Sequence, residues 1–589
     1  MNLRTGEGAR PLNNSINEKG DSLLLSRREW LGKLALPATG AVIAAGLLDG
    51  GSPAAAAPKK TAVNNDDIGA RVYNIRSYGA KGDKTTVDTV AVQAAIDACT
   101  ADGGGTVLVP TGTFTIGTVE LKSNVTLHIS AGGTLLGSGD GKQYHAVDAI
   151  PLHGDTTLND GNWALLFAVH AKNITIEGPG TIDGQGAQFH SAVRGTTPPS
   201  GLGGNKRPYH VLVYQSENFS VRNISLLDCA YHSIRIIESQ RIFLDSIYIH
   251  NRVNGNNDGF HFISAEQVRL SNCTVKCGDD ACAMFGSCKY ITVTNCYFST
   301  RWSVFRFGGG HAGNIAISNC VLKEVYGCPM KFQGDPGSVF ENISFSDLVL
   351  DDVTGPISIS VGKGQRRSSD APLPDVLPPV VVRNIFFSNI QGSVTAHAPA
   401  QLSEGTLGVG SRPGEIRSAI VLNAIDDAVL ENISFSNVNL TFGGGGTAEE
   451  AARRDVPKVF GEYFELGPIP AYGLYARNAR GLTLQNVRFE VSEPDLRPAV
   501  IFDHVEDAAI YGLSVQGNPQ AESVLCFIDS RQTLLTASRV LTPSGPFLQL
   551  EGESSDGIIV EGGDLSKAAS AVAFKNGASE TSVKLRNVT

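Results

Sequence analysis

Three segments repeat one short pattern: VRLSNCTVKC from Val268, ITVTNCYFST from Ile291 and IAISNCVLKEV from Ile315. Each has apolar residues at alternate positions, then Ser-Asn-Cys or Thr-Asn-Cys, then a second short alternating run. The starts at 268, 291 and 315 are 23 and 24 residues apart. Alternation with a period of two is typical of β-strands, and a repeat of this length is typical of a solenoid.

Five further segments carry the same pattern, at Phe219, Ile343, Ile385, Ile433 and Leu482. One coil of a solenoid cannot bury its inner face alone, so successive coils must stack. A leucine-rich repeat would show its Leu spacing and a helix in each unit, and neither is present. Because crossover connections between parallel strands are right-handed, we predict an all-β fold, a right-handed parallel β-helix.

The recurring Asn is predicted at the bend between the two strands of each repeat. Asn tolerates the left-handed conformation, and its amide can bond to the backbone of the neighbouring coil. Cys273, Cys296 and Cys320 follow this Asn, which indicates stacked, buried small side chains rather than a disulfide framework. The cysteines between residues 277 and 288 have no accompanying His at the spacing of a zinc site.

A capping helix is predicted over residues 86–101, TVDTVAVQAAIDACTA, with Asp88 as its N-cap. A helix here can cover the exposed end of the solenoid. The chain has 589 residues and a formal net charge of −10, without a basic stripe. This composition argues against nucleic acid as a partner.

The N-terminal residues resemble an export signal. Arg27 and Arg28 precede a modest apolar stretch, and an Ala-x-Ala-like site follows at residues 55–57. The Arg pair resembles the bacterial twin-arginine signal. We therefore expect a leader over residues 1–57, a periplasmic or extracellular location, and no membrane association after cleavage.

Residues 58–589 are predicted to form one catalytic β-helix domain that acts as a monomer. It divides into a cap with the first coils, the catalytic coils, and C-terminal coils with long loops, at residues 70–130, 165–350 and 350–589. Several segments lack periodicity and are predicted to form the walls of a cleft; they are residues 137–165, 186–208, 362–380, 397–416 and 441–470.

Three aspartates are predicted to meet on one face of the solenoid. Asp258 lies in the turn of NRVNGNNDGFHF, and Asp279 and Asp280 follow 21 and 22 residues later, which is close to one coil. Stacked strands are about 4.8 Å apart, so the three carboxylates should be neighbours. Crowded carboxylates have pKa values pushed apart, which supplies the acid and the base that glycoside hydrolysis needs.

Other interpretations of the acidic residues remain open at this point. Gly-Asp-Asp is common in solvated turns, and a cluster of oxygen ligands could bind calcium. Polysaccharide lyases and non-catalytic carbohydrate-binding proteins can also be built on a β-helix. His261 and His311 are interpreted as structural residues.

Two motifs resemble glycoside hydrolase family 28, which contains polygalacturonases and rhamnogalacturonases. GNNDGFHF at residues 255–262 resembles the family's NTDG motif, and CGDDACAMF at residues 277–285 resembles its DDC motif. The segments at 73–99 and 178–186 also resemble the start and an early coil of this family. The resemblance implies an inverting hydrolase of pectin-like polysaccharide that needs no metal or cofactor.

The resemblance also implies roles for individual residues. Asp279 matches the general acid, and Asp258 and Asp280 match the pair that activates water. The family's Gly-His-Gly is replaced by the region STRWSVFRFGGGH, residues 299–311, and its Arg-x-Lys segment by Pro-Met-Lys, residues 329–331. Candidate substrate-binding residues in these two segments are Arg301, Trp302, Arg306 and Lys331, because Arg pairs with carboxylates and Trp stacks on sugars.

Overall fold

The computed structural model describes residues 70–150, 161–190, 196–362, 378–395, 401–404, 412 and 414–588. Residues 1–62 and 63–589 are separate units, and all the described residues belong to the second. The leader predicted at residues 1–57 lies outside the described residues. Within them, no helix is long and apolar enough to cross a membrane.

The described chain is almost entirely β-structure, and its strands are numbered here in chain order. Strands β1 to β10 are Val72–Asn74, Asp83–Val87, Gly105–Val109, Gly112–Ile116, Val119–Glu120, Val125–Ile129, Gly133–Gly137, Ala164–Val169, Lys172–Glu177 and Thr181–Asp183. Strands β11 to β20 are Tyr209–Tyr214, Glu217–Arg222, Ser225–Leu227, Ile234–Ile237, Gln240–Asp245, Tyr248–Asn251, Phe260–Ile263, Glu266–Ser271, Thr274–Cys277 and Cys282–Phe285. Strands β21 to β30 are Lys289–Thr294, Tyr297–Thr300, Ser303–Gly308, His311–Val325, Cys328–Gln333, Val339–Val353, Ile357–Val361, Val381–Val394, Ile420–Ala424 and Val429–Phe442. Strands β31 to β42 are Leu474–Arg477, Ala479–Val491, Val500–Asp503, Glu506–Tyr511, Ser514–Val515, Leu525–Ile528, Arg531–Thr536, Arg539–Val540, Leu548–Glu551, Ile558–Glu561, Val572–Lys575 and Val583–Arg586.

These strands wind as a right-handed parallel β-helix, which confirms the predicted fold. One sheet contains 15 of the described strands, in the order β5, β8, β11, β14, β17, β20, β23, β25, β27, β29, β31, β33, β36, β39 and β41. The other described strands form the second sheet. The 15-stranded sheet is named the floor sheet below, because its outer face carries the candidate site.

Matching residues of successive coils stack inside the solenoid. Phe345, Phe387 and Phe435 are paired in register, and their rings stack at centroid distances of 5.2 and 5.0 Å. Each ring is almost fully buried. The period-two pattern of the repeats therefore corresponds to an inner row of apolar side chains, and the coils share one continuous core. All ten cysteines are buried free thiols.

The recurring Asn does lie at the bend, in the left-handed conformation, with φ of 53°, 55° and 51° at Asn389, Asn437 and Asn486. The predicted bonding partner was wrong for these three residues. Their amides bond to side chains of the preceding coil, namely Asp347, Asn389 and Asn437, at 3.0, 3.0 and 2.9 Å. A side-chain ladder thus follows the bend from coil to coil.

Two α-helices are described, α1 at Thr89–Ala101 and α2 at Ala448–Ala451. Helix α1 confirms the helix predicted from periodicity, and it buries residues such as Val92 and Ile96. Asp88 is the N-cap residue, but its side chain does not cap the helix. Its carboxylate instead accepts bonds from the backbone N–H groups of Lys81 and Gly82, at 2.7 and 2.9 Å. That α1 covers the end of the solenoid stays a prediction.

Candidate active site

The coil register brings the three predicted aspartates together. Strands β17 and β20 are paired with Phe260 opposite Cys282. Asp258 and Asp280 each lie two residues before their strand, so they hold equivalent places in adjacent coils. The backbone N–H of Gly259 donates to the carbonyl of Asp280 at 3.0 Å. Burial would lower the pKa of the Arg306 guanidinium, but the nearby carboxylates of Asp258, Asp279 and Asp280 raise it.

Asp279 is half-buried, whereas Asp258 and Asp280 are buried. Its Oδ1 accepts from the backbone N–H of Asp280 at 3.0 Å, and its Oδ2 accepts from Asn256 Nδ2 at 3.3 Å. Burial raises the pKa of Asp279 to about 7, with a further contribution from the carboxylate of Asp280. Asp279 therefore keeps its proton close to neutral pH, as a general acid must.

Two buried histidines hold Asp258. Nδ1 of His261 is 2.8 Å from Asp258 Oδ2, and Nε2 of His232 is 3.6 Å from the same oxygen. The two imidazole rings stack with their centroids 4.6 Å apart and their planes 8° apart. Burial lowers the pKa of both histidines well below the ordinary value, so both rings are neutral. This pair fixes the orientation of the Asp258 carboxylate, a role that the sequence interpretation of His261 did not anticipate.

The same three side chains are the one group in the described chain whose donor atoms could share a metal ion. Neutral imidazoles and a carboxylate are suitable ligands for transition metals. Both ring nitrogens near Asp258 already face its carboxylate oxygen, however. The contacts with Asp258 therefore also fit a structural role, in which the two histidines orient its carboxylate.

Arg306 and Lys331 lie beside the acids on the outer face of the floor sheet. Strands β17, β20, β23 and β25 are in register, so His261, Ala283, Arg306 and Lys331 form one row across four coils. Nη1 of Arg306 is 3.5 Å from Asp280 Oδ2. Arg306 is the residue of this row with an appreciably exposed side chain, at 22%.

Lys331 does not present its charge to the cleft. Its side chain has no exposed surface, and its ammonium bonds to both carboxylate oxygens of Glu462, at 2.9 and 2.8 Å. Glu462 Oε1 is also 3.8 Å from Nη1 of Arg306. The predicted substrate-binding lysine therefore has an internal carboxylate as its partner.

Arg301 is likewise engaged within the protein. Its guanidinium forms a two-pronged ion pair with the fully buried carboxylate of Glu415, at 2.9 and 3.3 Å. Trp302 is half-buried, with the guanidinium of Arg412 4.6 Å above its ring. The same guanidinium is 4.5 Å from the ring of Phe464, so Arg412 lies between two aromatic rings.

Loops cover the floor sheet on both sides of the acids. Beyond Lys331, the outward residues Val421 and Tyr475 are buried under a cluster that contains Val456 and Leu466. At the other end, Leu212 is buried in a cluster with residues of the loop after β7, among them Val147 and Ile150. The acids thus lie in a short recess between two covered stretches.

Several residues of this recess were not predicted from the sequence: His232, Arg412, Glu415, Glu462 and Phe464. His232 precedes β14 in the coil before Asp258, so the coil spacing was a usable signal for it. The other four come from the loops at 397–416 and 441–470, which were predicted as cleft walls. Nothing periodic in those loops indicates which residues reach the site.

Comparison with known proteins identifies the family. A model of the glycosyl hydrolases family 28 matches residues 99–411, which is more than half of the chain. The chain belongs to this family. As a family 28 member it is a glycoside hydrolase, and the match includes all three aspartates.

Relatives within family 28 are distant. The exo-poly-alpha-D-galacturonosidase of Dickeya chrysanthemi is 26% identical over 436 residues, which cover 62% of this chain and 71% of that protein. The exopolygalacturonase of Platanus acerifolia is 22% identical over 407 residues, which cover 66% and 95%. The crystal structure of an exopolygalacturonase from Thermotoga maritima matches with a TM-score of 0.54 and 19% identity, and covers 72% of this chain and 92% of its own. At that identity the structural likeness shows the shared fold.

Proposed function

We propose that this family 28 hydrolase cleaves pectin-type polysaccharide from the chain end, with inversion at the anomeric carbon. The observation that carries the proposal is that three adjacent carboxyl groups have different electrostatic environments. Burial and Asp280 hold the pKa of Asp279 near 7, while Arg306 lies against Asp280. Asp279 is thus protonated, while the neighbouring Asp280 is paired with a cation. Acid and base catalysis at one bond requires two such groups in different states.

In the proposed mechanism Asp279 donates its proton to the leaving glycosidic oxygen. Asp258, clamped by His232 and His261, and Asp280 orient and deprotonate the attacking water. Arg306, whose Nη1 is 3.5 Å from Asp280 Oδ2, lies beside the reacting sugar. Direct displacement by water inverts the anomeric configuration. No step requires a metal ion or a cofactor.

Action at the chain end is supported by the loops that cover the floor sheet beside the acids, because a bound polysaccharide cannot continue along the sheet through them. A polysaccharide that is cut internally needs an open path on both sides of the scissile bond. Here loops bury the outward residues on either side, such as Leu212 and Val421. The names of the Dickeya and Platanus relatives also indicate exo-acting enzymes.

The test is digestion of a panel of pectic polysaccharides, with proton NMR of the fresh products. We expect one small product of constant size from the first minutes, in the anomeric configuration opposite to that of the substrate. A mixture of long oligosaccharides would contradict exo action, and retained configuration would contradict inversion. An unsaturated product absorbing in the ultraviolet would indicate a lyase instead.

The pH profile offers a separate prediction about Asp279. Because a general acid must be protonated, kcat/KM should fall about tenfold per pH unit above a pKa near 7. Arg306 lowers the pKa of Asp279, so Arg306→Gln should move this alkaline limb to higher pH even if the rate is lower. The matched control is Arg269→Gln, on β18 of the other sheet, which should leave the limb in place. A limb that stays fixed in Arg306→Gln would contradict the assignment.

Export through the leader with Arg27 and Arg28 completes the proposal. A hydrolase of polymeric substrates must meet them outside the cytoplasm, so we place the mature monomer in the periplasm or medium. Fractionation of cells that carry the chain with both arginines changed to Lys should show it retained in the cytoplasm. Unchanged secretion of that variant would contradict the twin-arginine assignment.

A further inference from the structure

We propose that Glu462 determines substrate specificity by acting as a built-in carboxylate for Lys331 and Arg306, so that the sugar bound beside them is neutral. This inference rests on the proposed function, because it assigns a sugar class to the same recess. The charged groups of a cleft recognise an anionic sugar only if their charge is free to pair with it. Here the protein supplies that anion itself.

The pairing of Lys331 with Glu462 is complete. The ammonium has no exposed surface and lies 2.9 and 2.8 Å from the two carboxylate oxygens. Burial alone would raise the pKa of Glu462, but Lys331 and Arg306 lower it below the usual range. Glu462 is therefore ionised, and its charge cancels that of Lys331.

Arg306 is shared between two carboxylates. Its Nη1 lies 3.5 Å from Asp280 Oδ2 and 3.8 Å from Glu462 Oε1. Two cations, Lys331 and Arg306, therefore face two anions, Glu462 and Asp280, in this part of the recess. A sugar carboxylate placed here would add a third negative charge, and like charges in a partly desolvated site repel each other. A sugar hydroxyl could instead donate to an oxygen of Glu462.

The position of Glu462 is fixed by the packing of its loop. It directly precedes the short 3₁₀-helix Tyr463–Leu466. The buried Tyr463 hydroxyl bonds to Thr354 Oγ1 at 2.8 Å. A Cβ on Gly355 would come within 2.8 Å of the Tyr463 ring, so the glycine permits this close packing. The fold thus positions the Glu462 carboxylate over Lys331.

A third cation, Arg412, lies at the rim of the recess. Its guanidinium packs between the rings of Trp302 and Phe464, and its residue is exposed. It also contributes to the low pKa of Glu462. The test must therefore distinguish recognition at Lys331 and Arg306 from recognition at Arg412.

The experiment compares D-galacturonate with D-galactose as ligands, by calorimetric titration. The two sugars share ring stereochemistry and differ at C6, where one carries a carboxylate. The wild-type protein should bind galacturonate no more tightly than galactose. Glu462→Gln should bind galacturonate at least about tenfold more tightly than wild type, because a charge-assisted bond becomes available, with galactose affinity nearly unchanged.

Controls separate charge from folding. Glu465→Gln, in the same short helix, should behave as wild type. The double variant Lys331→Met with Glu462→Gln should lose the gain, and it lacks the buried unpaired ammonium that could unfold the single variant. Melting temperatures establish that each protein is folded.

Two results would overturn the proposal. One is wild-type binding of galacturonate at least tenfold tighter than galactose, and Arg412→Gln would then show whether the rim cation is responsible. The other is a folded Glu462→Gln variant without any gain. Both results are binding affinities, which do not require turnover. Failure of the proposed hydrolytic function would be observed separately, as the absence of product from every glycan in the panel.

Discussion

Replacing Asp279 by Asn is expected to reduce kcat by about a hundredfold to ten-thousandfold, with little change in stability. The loss has this size because a positioned general acid contributes about 10² to 10⁴ to the rate, and the leaving oxygen would have to depart unprotonated. Asn preserves the local structure, since its Oδ1 can still accept from the backbone N–H of Asp280, as in the native turn. Initial rates of reducing-sugar release on the best pectic substrate measure the effect.

The control and a second substrate make this result specific. Asp351→Asn, at an exposed position on β26, should keep the wild-type rate. A substrate whose aglycone leaves readily, such as a nitrophenyl glycoside, needs little protonation, so Asp279→Asn should be impaired much less on it. Full activity of Asp279→Asn on the polysaccharide would mean that another residue is the acid. Equal losses on both substrates would point to a different role for Asp279.

The coils and the acidic cluster could be predicted from the sequence because both depend on local spacing. A strand alternates over a few residues, and one coil returns the chain to the same face after little more than 20 residues. Asp258 and Asp280 are one coil apart, and the β17–β20 register places them side by side. Helix α1 was also predictable, since its periodicity is contained within 13 residues.

The ion-pair partners of the basic residues Arg301 and Lys331 could not be predicted from sequence spacing. Sequence spacing predicted Arg301 and Lys331 near the acids. In the structure they belong to the coils that follow the acids. Their partners, Glu415 and Glu462, lie 114 and 131 residues further along the chain. Both come from loops without a repeat, so no spacing rule connects them to the cations. A motif therefore locates a charged side chain but does not reveal whether the protein has already paired it.

Glu415→Ala should destabilise the fold by about 3–5 kcal/mol, the largest stability effect expected in the recess. Removal of one partner of a buried ion pair leaves the other charge without compensation. Glu415 is fully buried, and Arg301 is its partner through two contacts. Glu415 also accepts from the backbone N–H of Arg412 at 2.9 Å, so the loop that carries Arg412 loses an anchor. Urea denaturation measures the change in the free energy of unfolding.

A double variant tests whether the unpaired charge causes this loss. In Arg301→Met with Glu415→Leu both charges are absent and apolar side chains fill the space, so most of the stability should return. Activity should not return with it, because Arg412 and Trp302 depend on this pair for their positions. If Glu415→Ala alone costs less than about 1 kcal/mol, the pair would behave as an exposed one and the loop would not be anchored through it. If the double variant is as unstable as the single one, packing by the Glu415 side chain, rather than its charge, holds the loop against the floor sheet.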